Sequence, residues 1–244
     1  MTGIYGKDFA AVYNEKWLDF GARMWPFLSK TVARRNPDAR TWLDLCCGTG
    51  TLLRLLCERG FEAVGLDASA HQLKHARKNA PGAKLVRADV RAFRLARRFD
   101  VITCLFDSLN YLTTRRDLER AFRRARQHLA QGGLFIFDVN TFAGLQDRWC
   151  RTSTIREPAR MVIVETSFDE KRALGRCLIT GFVKEGRRWR RFEEEHVQRG
   201  YRPAEVDDLL ARAGLAFRQY DGRTYARPKK RSDRLLYVCH AEHG

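Results

Sequence analysis

The chain has 244 residues, of which 44% are hydrophobic and 31% charged, so it can bury one sizeable core but is short for two full domains. It contains no uncharged apolar stretch of about 18 residues and no apolar signal segment behind a basic start. We therefore predict no membrane-spanning helix, and we expect a cytoplasmic protein.

The net charge of +17 raises nucleic acid as a partner. However, 36 of the 46 basic residues are arginines, and they are spread along the whole chain. Between residues 115 and 129 they alternate with apolar residues at helical spacing, which is typical of the solvated face of an amphipathic helix. No pattern of a nucleic-acid-binding module accompanies the charge. We therefore expect a basic surface, and nucleic acid is the less favoured partner.

The seven cysteines are odd in number, and most lie in apolar segments. This usage favours buried thiols in a reducing compartment. Cys46 and Cys47 are adjacent, but no other ligand follows them at metal-binding spacing. We predict no metal site.

The first half of the chain predicts a helical cover followed by βαβ units. Residues 5–28 are aromatic-rich and predict a helix packed over the ligand edge of a sheet. Short apolar runs then alternate with amphipathic stretches of helical length, which is typical of a parallel sheet. The predicted strands are residues 41–46, 62–67, 84–88, 101–105 and 134–139. Helices are predicted to start near Gly50, Ala70 and Thr114, and the pair Gly132–Gly133 is predicted to end the last of them.

The second half changes character. Residues 149–199 form short alternating runs that predict antiparallel strands, and Pro203 then begins a helix that Gly214 ends. Two closing strands follow. The sequence thus predicts a single doubly wound α/β domain over residues 1–244, with a mostly parallel seven-stranded sheet. Its predicted parts are a cover (1–40), a core (41–140 and 200–244) and an antiparallel β insert (141–199).

Glycines and carboxylates collect where the first three predicted strands end. Asp44 is followed by a turn containing Gly48 and Gly50, Asp67 closes the second strand, and Asp89 follows the third. In an open parallel sheet, ligands bind outside the carboxyl ends of the strands, and glycines let a ligand approach the backbone. A carboxylate such as Asp67 can accept hydrogen bonds from the paired hydroxyls of a ribose. The alternative is that Asp44 and Asp89 only cap neighbouring backbone amides.

These residues resemble the pattern of class I S-adenosylmethionine-dependent methyltransferases, D-x-G-x-G-x-G with an acidic residue after each of the next two strands. Cys46 stands where that pattern has its first glycine. The resemblance implies a Rossmann-like fold and S-adenosylmethionine as cofactor. It also implies a set of cofactor-binding residues: Tyr13, Asp44, Cys46, Gly48, Gly50, Asp67, Ala68, Asp89, Val90 and Leu105.

The main competitor on this fold is a nicotinamide dinucleotide enzyme, whose fingerprint has a third glycine where the helix packs on the strand. Leu53 occupies that position here. We expect this leucine to keep the helix away from the strand, and we therefore favour the methyltransferase.

Polar residues after the fourth strand and in the insert are the candidates for the acceptor side. Together with the N-terminal aromatics, Asp107 and Tyr111 resemble the small-molecule methyltransferases that act on glycine and amino sugars. Asp107, Tyr111 and His196 are the candidate catalytic groups, needed as a base if the acceptor arrives protonated. The predicted function is methyl transfer to a nitrogen or oxygen, carboxylate included, of a small molecule by a monomer or homodimer. The alternatives are an RNA methyltransferase and a cofactor-binding protein without catalysis.

Overall fold

The computed structural model describes residues 6, 9, 10 and 20–241, with the side chain of Phe20 left out. The predictions on Tyr13 and on the N-terminal aromatics Tyr5 and Trp17 lie outside the described residues. Helices are numbered here from the one at Phe20. They are α1 (Phe20–Arg35), α2 (Thr51–Glu58), α3 (Ala70–Asn79), α4 (Arg115–His128), α5 (Phe142–Arg148) and α6 (Pro203–Arg212), with a 3₁₀ turn at Ser108–Tyr111.

Within the described part of the chain, eleven strands form two sheets. The strands of the larger sheet are β1 (Thr41–Leu45), β2 (Glu62–Asp67), β3 (Lys84–Arg87), β4 (Phe99–Cys104), β5 (Leu129–Asn140), β10 (Leu215–Asp221) and β11 (Arg234–Ala241). Their order is β10-β11-β5-β4-β1-β2-β3, and β11 runs in the direction opposite to the other six. The chain reverses its winding direction between β1 and β4, and the carboxyl edge there is the expected ligand crevice.

Helices cover both faces of this sheet because each presents an apolar stripe. Leu28, Leu53 and Leu73, from α1, α2 and α3, belong to the core on one face. Phe122 and Leu209, from α4 and α6, belong to the core on the other face. The doubly wound α/β fold with a mostly parallel seven-stranded sheet is thus confirmed.

Two element boundaries differ from the prediction. Helix α4 ends at His128, and the glycine turn expected to stop it lies inside β5, where Gly132 has φ +71°. The pairing of β4 with β5 shifts register there, so the glycines fit an irregularity in the strand. Helix α1 runs to Arg35, beyond the predicted end at residue 28, because Val32 continues its buried stripe.

The smaller sheet lies between α5 and α6 in the chain. Its strands are β6 (Thr152–Glu157), β7 (Arg160–Asp169), β8 (Leu174–Glu185) and β9 (Arg188–Arg199), all antiparallel and in sequence order. Helix α5 precedes them, within the segment predicted as β structure. The division into cover, core and insert stays a prediction. Among the described residues no helix is long and apolar enough to cross a membrane.

Candidate active site

The turn after β1 has an unusual backbone. Cys46, Gly48 and Gly50 have φ values of +55°, +55° and +78°, in the left-handed region that favours glycine. A side chain at Gly50 would also come within 3.0 Å of the Cβ of Ala76 on α3. Cys46 therefore adopts at some strain a conformation that glycine adopts freely. This geometry explains why the family pattern has a glycine at that position.

Asp67, at the end of β2, holds this turn in place. Its Oδ2 accepts a hydrogen bond of 2.9 Å from the Gly48 N–H, and its Oδ1 accepts one of 2.8 Å from the Ser69 N–H. Burial raises the pKa of Asp67, while these backbone amides oppose the rise. Each carboxylate oxygen can accept more than one bond. The carboxylate can therefore bind both amides and a pair of vicinal hydroxyls.

Asp44 is a buried carboxyl group of the crevice with a raised pKa. It is 4% exposed, and burial raises its pKa to about 7. The Thr103 hydroxyl on β4 donates a 2.7 Å bond to Asp44 Oδ1 and lowers this pKa in part. Trp42 Nε1 in turn donates to the Thr103 oxygen over 3.0 Å. A buried carboxylate at a strand end can bind an ammonium group, provided that it is ionised.

The carboxylate of Asp89 is paired with a neighbouring arginine. Arg91 donates to both of its oxygens, through its backbone N–H and Nε to Oδ1 and through Nη2 to Oδ2 at 2.6 Å. The alternative reading, in which Asp89 caps a backbone amide, thus describes one of its contacts. Asp89 still lies at the same edge as Asp67, since the Ala88 N–H donates to the Asp67 carbonyl over 3.1 Å.

The remaining predicted cofactor residues differ in burial. Ala68 follows Asp67 and is partly exposed, whereas Val90 and Leu105 are 1% and 7% exposed and belong to the cores on opposite faces of the sheet. Both apolar side chains follow strands at the crevice edge and can present only a small surface to a ligand.

Leu53 is accommodated by a glycine in the neighbouring strand. A Cβ added to Gly65 on β2 would lie 2.3 Å from Leu53 Cδ1 and 2.9 Å from Cys47 Sγ. A glycine in strand β2 thus allows helix α2 to pack closely against it. In the dinucleotide fingerprint the corresponding glycine is in the helix. The leucine does not hold the elements apart in the way the sequence led us to expect.

Asp107, predicted as catalytic, lies in a partly buried charge cluster. Its Oδ1 accepts a 2.5 Å bond from Arg234 Nη2, and its Oδ2 accepts a 2.5 Å bond from Gln198 Nε2. Arg234 also donates to Asp138 Oδ2 over 2.6 Å. Because both Asp107 oxygens hold partners, we interpret Asp107 as a residue that joins the ends of β4 and β5 to the smaller sheet.

Tyr111 and His196, predicted separately, form one contact. The Tyr111 hydroxyl lies 2.9 Å from His196 Nδ1, although 85 positions separate them in the chain. Glu194 Oε2 lies 3.3 Å from the other ring nitrogen, Nε2. His196 is buried, and the Glu194 side chain is 10% exposed. The three groups form a chain of phenol, imidazole and carboxylate.

Sequence reasoning missed three members of these clusters, namely Glu194, Gln198 and Arg234, and it gave no role to Asp138 at the end of β5. A signal for Glu194 and Gln198 was present, because strand positions two apart share a face and both flank His196 at that spacing. Arg234 begins the last strand and offered no local signal. Among the described residues no group of three or more His, Cys, Asp or Glu side chains could hold a metal ion.

A glycine turn at the switch point of a doubly wound sheet, with a carboxylate at the next strand end, defines an α/β protein that binds a nucleoside. Comparison with known proteins narrows this class. A methyltransferase domain family matches residues 43–133. The dTDP-3-amino-3,4,6-trideoxy-alpha-D-glucopyranose N,N-dimethyltransferase of Streptomyces venezuelae is 31% identical over 228 residues, which cover 90% of this chain and 94% of that protein.

Solved structures agree with this relationship. An S-adenosylmethionine-dependent methyltransferase from Clostridium acetobutylicum has a TM-score of 0.86 at 26% identity, covering 97% of this chain and 98% of its own. Streptomyces venezuelae DesVI has a TM-score of 0.79 at 28% identity, covering 97% and 100%. The chain belongs to the class I S-adenosylmethionine-dependent methyltransferases, and S-adenosylmethionine is its cofactor. The left-handed turn, the Asp67 carboxylate and the buried Asp44 fit that cofactor.

Proposed function

We propose that this methyltransferase methylates an amine nitrogen of a small-molecule acceptor, and that the acceptor is an amino sugar linked to a nucleotide. The observation that carries the proposal is the bond between the Tyr111 hydroxyl and His196 Nδ1, because an amine that arrives as an ammonium ion needs a proton acceptor. A carboxylate acceptor is already ionised at neutral pH and has no need of such a pair. A hydroxyl acceptor would also have to lose a proton, so it forms a separate arm of the test.

The cofactor residues are proposed to act in three groups. Gly48 and Gly50 offer bare backbone to the methionine part, Asp44 accepts from its ammonium group, and Asp67 accepts from the ribose hydroxyls. The groups proposed to border the adenosyl part are Cys46, Ala68, Asp89, Val90 and Leu105. When bound, the cofactor supplies a sulfonium methyl group that is already a good electrophile.

The protein's own contribution is orientation and proton removal. Tyr111 follows β4 at the switch point, so its hydroxyl can accept a proton from an amine held at the crevice edge. Holding the amine nitrogen about 3 Å from the methyl carbon and in line with it supplies several kcal/mol of the rate enhancement. The burial of His196 excludes water from the base and strengthens its hydrogen bond to Tyr111.

A basic cavity at the same sheet edge supports an anionic acceptor. It has a volume of about 730 Å³, and one of its lining residues is Thr141, which follows the last residue of β5. None of the described residues that line it is acidic, and its basic lining residues are Arg202, Arg227, Lys229, Lys230 and Arg231. A diphosphate that carried the sugar would find favourable electrostatics there. The S. venezuelae relative is named for a dTDP-linked amino sugar.

The test supplies methyl-labelled cofactor with several acceptors. The amine arm is dTDP-3-amino-3,4,6-trideoxy-alpha-D-glucopyranose, and the matched arms are its 3-hydroxy analogue, trans-aconitate and tRNA. We expect label only on the amine, with one and then two methyl groups by mass spectrometry. Label on the hydroxyl, carboxylate or tRNA arm alone would refute the proposal. Calorimetric cofactor binding without transfer to any arm or to a wider amine panel would instead favour a cofactor-binding protein without catalysis.

A further inference from the structure

We infer that Glu194 is a positioning residue that fixes the protonation of His196, so that Tyr111, His196 and Glu194 act as one proton-accepting chain. The inference rests on the proposed amine function and deepens it. Glu194 belongs to none of the sequence motifs, and its one sequence signal is its two-residue spacing from His196 on a strand.

The distances define which atom bears the proton. Glu194 Oε2 lies 3.3 Å from His196 Nε2, without hydrogen-bond geometry between the two atoms, and a carboxylate at this distance favours the proton on Nε2 by charge attraction. Nδ1 then presents a lone pair, and it accepts from the Tyr111 O–H over 2.9 Å. With the opposite tautomer, Nδ1 would donate and the tyrosine could no longer pass on a proton. Glu194 therefore selects the tautomer that makes Tyr111 a base.

The strand holds this arrangement rigidly. Glu194 and His196 are two positions apart on β9, so both project from the same face, and Cys177 lies opposite His196 on β8. The Gly6 N–H donates to Glu194 Oε1 over 2.6 Å, and the Phe9 ring packs edge-on against the imidazole at 5.0 Å. Glu194 is thus held by one oxygen while the other faces Nε2.

The charges around the imidazole favour the same assignment. Among the described residues, the titratable groups facing it are Tyr111, Glu194 and Cys177. Burial raises the pKa of Cys177 to about 11, so this thiol is neutral at physiological pH. Glu194 is the carboxylate in contact, and it can stabilise the imidazolium that forms.

The proposed reaction moves one proton from the acceptor through Tyr111 to His196. The acceptor's ammonium group transfers one proton to the Tyr111 oxygen, while the Tyr111 O–H proton passes to His196 Nδ1. The products are a neutral amine with a free lone pair, an unchanged tyrosine and an imidazolium paired with Glu194. The amine lone pair then forms the new N–C bond as the S–C bond breaks, and the sulfur keeps that electron pair. The proton held by His196 leaves to solvent before the next turnover.

The test compares Glu194→Gln with Glu195→Gln, a matched change on the same strand at a residue that faces away and pairs with Arg176. With the amine acceptor at pH 7, we expect kcat/KM to fall about 10- to 100-fold in the first variant and to stay unchanged in the second. The deficit should shrink between about pH 7 and about pH 9, because the acceptor then loses its proton in solution. Tyr111→Phe should show the same relief, and the double variant should be no worse than either single one.

A second readout needs no acceptor. Nitrogen-15 NMR of the histidine side chains in the full-length protein should show His196 protonated at Nε2, and Glu194→Gln should produce a mixture of tautomers. A deficit that is constant with pH would show a merely structural role and overturn the inference. An Nδ1-protonated His196 in the native protein would do the same. If no amine is methylated at all, the proposed function fails, while the NMR result still decides the role of Glu194.

Discussion

Replacing Asp44 with asparagine should separate the charge of this residue from its shape. Asp44 is 4% exposed with a pKa of about 7, because burial penalises the carboxylate more than the Thr103 hydroxyl stabilises it. Asparagine keeps the oxygen that accepts from Thr103 and loses only the charge. Since the folded-state pKa lies above the unfolded value of 3.8, native Asp44 reduces stability as pH rises from about 4 through about 7. The variant should lack this loss.

The effect on cofactor binding follows from the same pKa. If Asp44 accepts from the cofactor's ammonium group, only the ionised form binds well, so affinity falls as pH drops below about 7. At one pH unit below the pKa, Kd should be about tenfold weaker than at alkaline pH. A charge-assisted hydrogen bond contributes about 1.5–3 kcal/mol, so Asp44→Asn should weaken binding at pH 8 by about 10- to 150-fold.

The assay is calorimetric titration of S-adenosylhomocysteine, which shares the ammonium group, at pH values between about 6 and about 8. Thr103→Val provides a second variant, because removing the hydroxyl should raise the pKa of Asp44 and move the binding midpoint to higher pH. Native affinity in the asparagine variant would refute the role assigned to Asp44. A pH dependence that survives in this variant would assign the titration to another group, with Asp67 the first to examine.

Two further changes test the packing around the site. Gly65→Ala places a Cβ 2.3 Å from Leu53, and it should destabilise the fold by about 1–3 kcal/mol in urea unfolding, whereas Gly82→Ala, with ordinary contact distances, should stay within about 0.5 kcal/mol. Equal effects of the two alanines would contradict this packing. Arg234→Met removes the cation shared by the buried Asp138 and the partly buried Asp107, and it should cost about 3–5 kcal/mol at pH 8. The loss should be smaller toward pH 5, because burial raises the pKa of Asp138 and protonation of this group removes the repulsion between the two carboxyl groups. A loss independent of pH would show that packing alone is responsible.

The fold and the identity of the cofactor could be predicted from sequence, and the cofactor-binding residues proposed, because their signals are local. Apolar runs alternating with amphipathic stretches predicted the five parallel strands, since each strand or helix must bury its own apolar residues. Asp44, Gly48 and Gly50 lie within seven consecutive residues, and Asp67 closes the next strand. Chain direction in a parallel sheet then brings these strand ends to one edge.

The acceptor half required the tertiary structure. Tyr111 meets His196 only because β9 of the inserted sheet returns to the end of β4, and Glu194 joins them through the two-residue repeat of that strand. Whether a carboxylate is already engaged also depends on side-chain contacts that no motif encodes, as the pairing of Asp89 with Arg91 illustrates. Sequence alone determined which backbone segments form the sheet and its glycine turn, because those depend on neighbouring residues. Packing between distant segments decided which titratable groups share a proton, since that depends on angstrom-scale distances set by the whole fold.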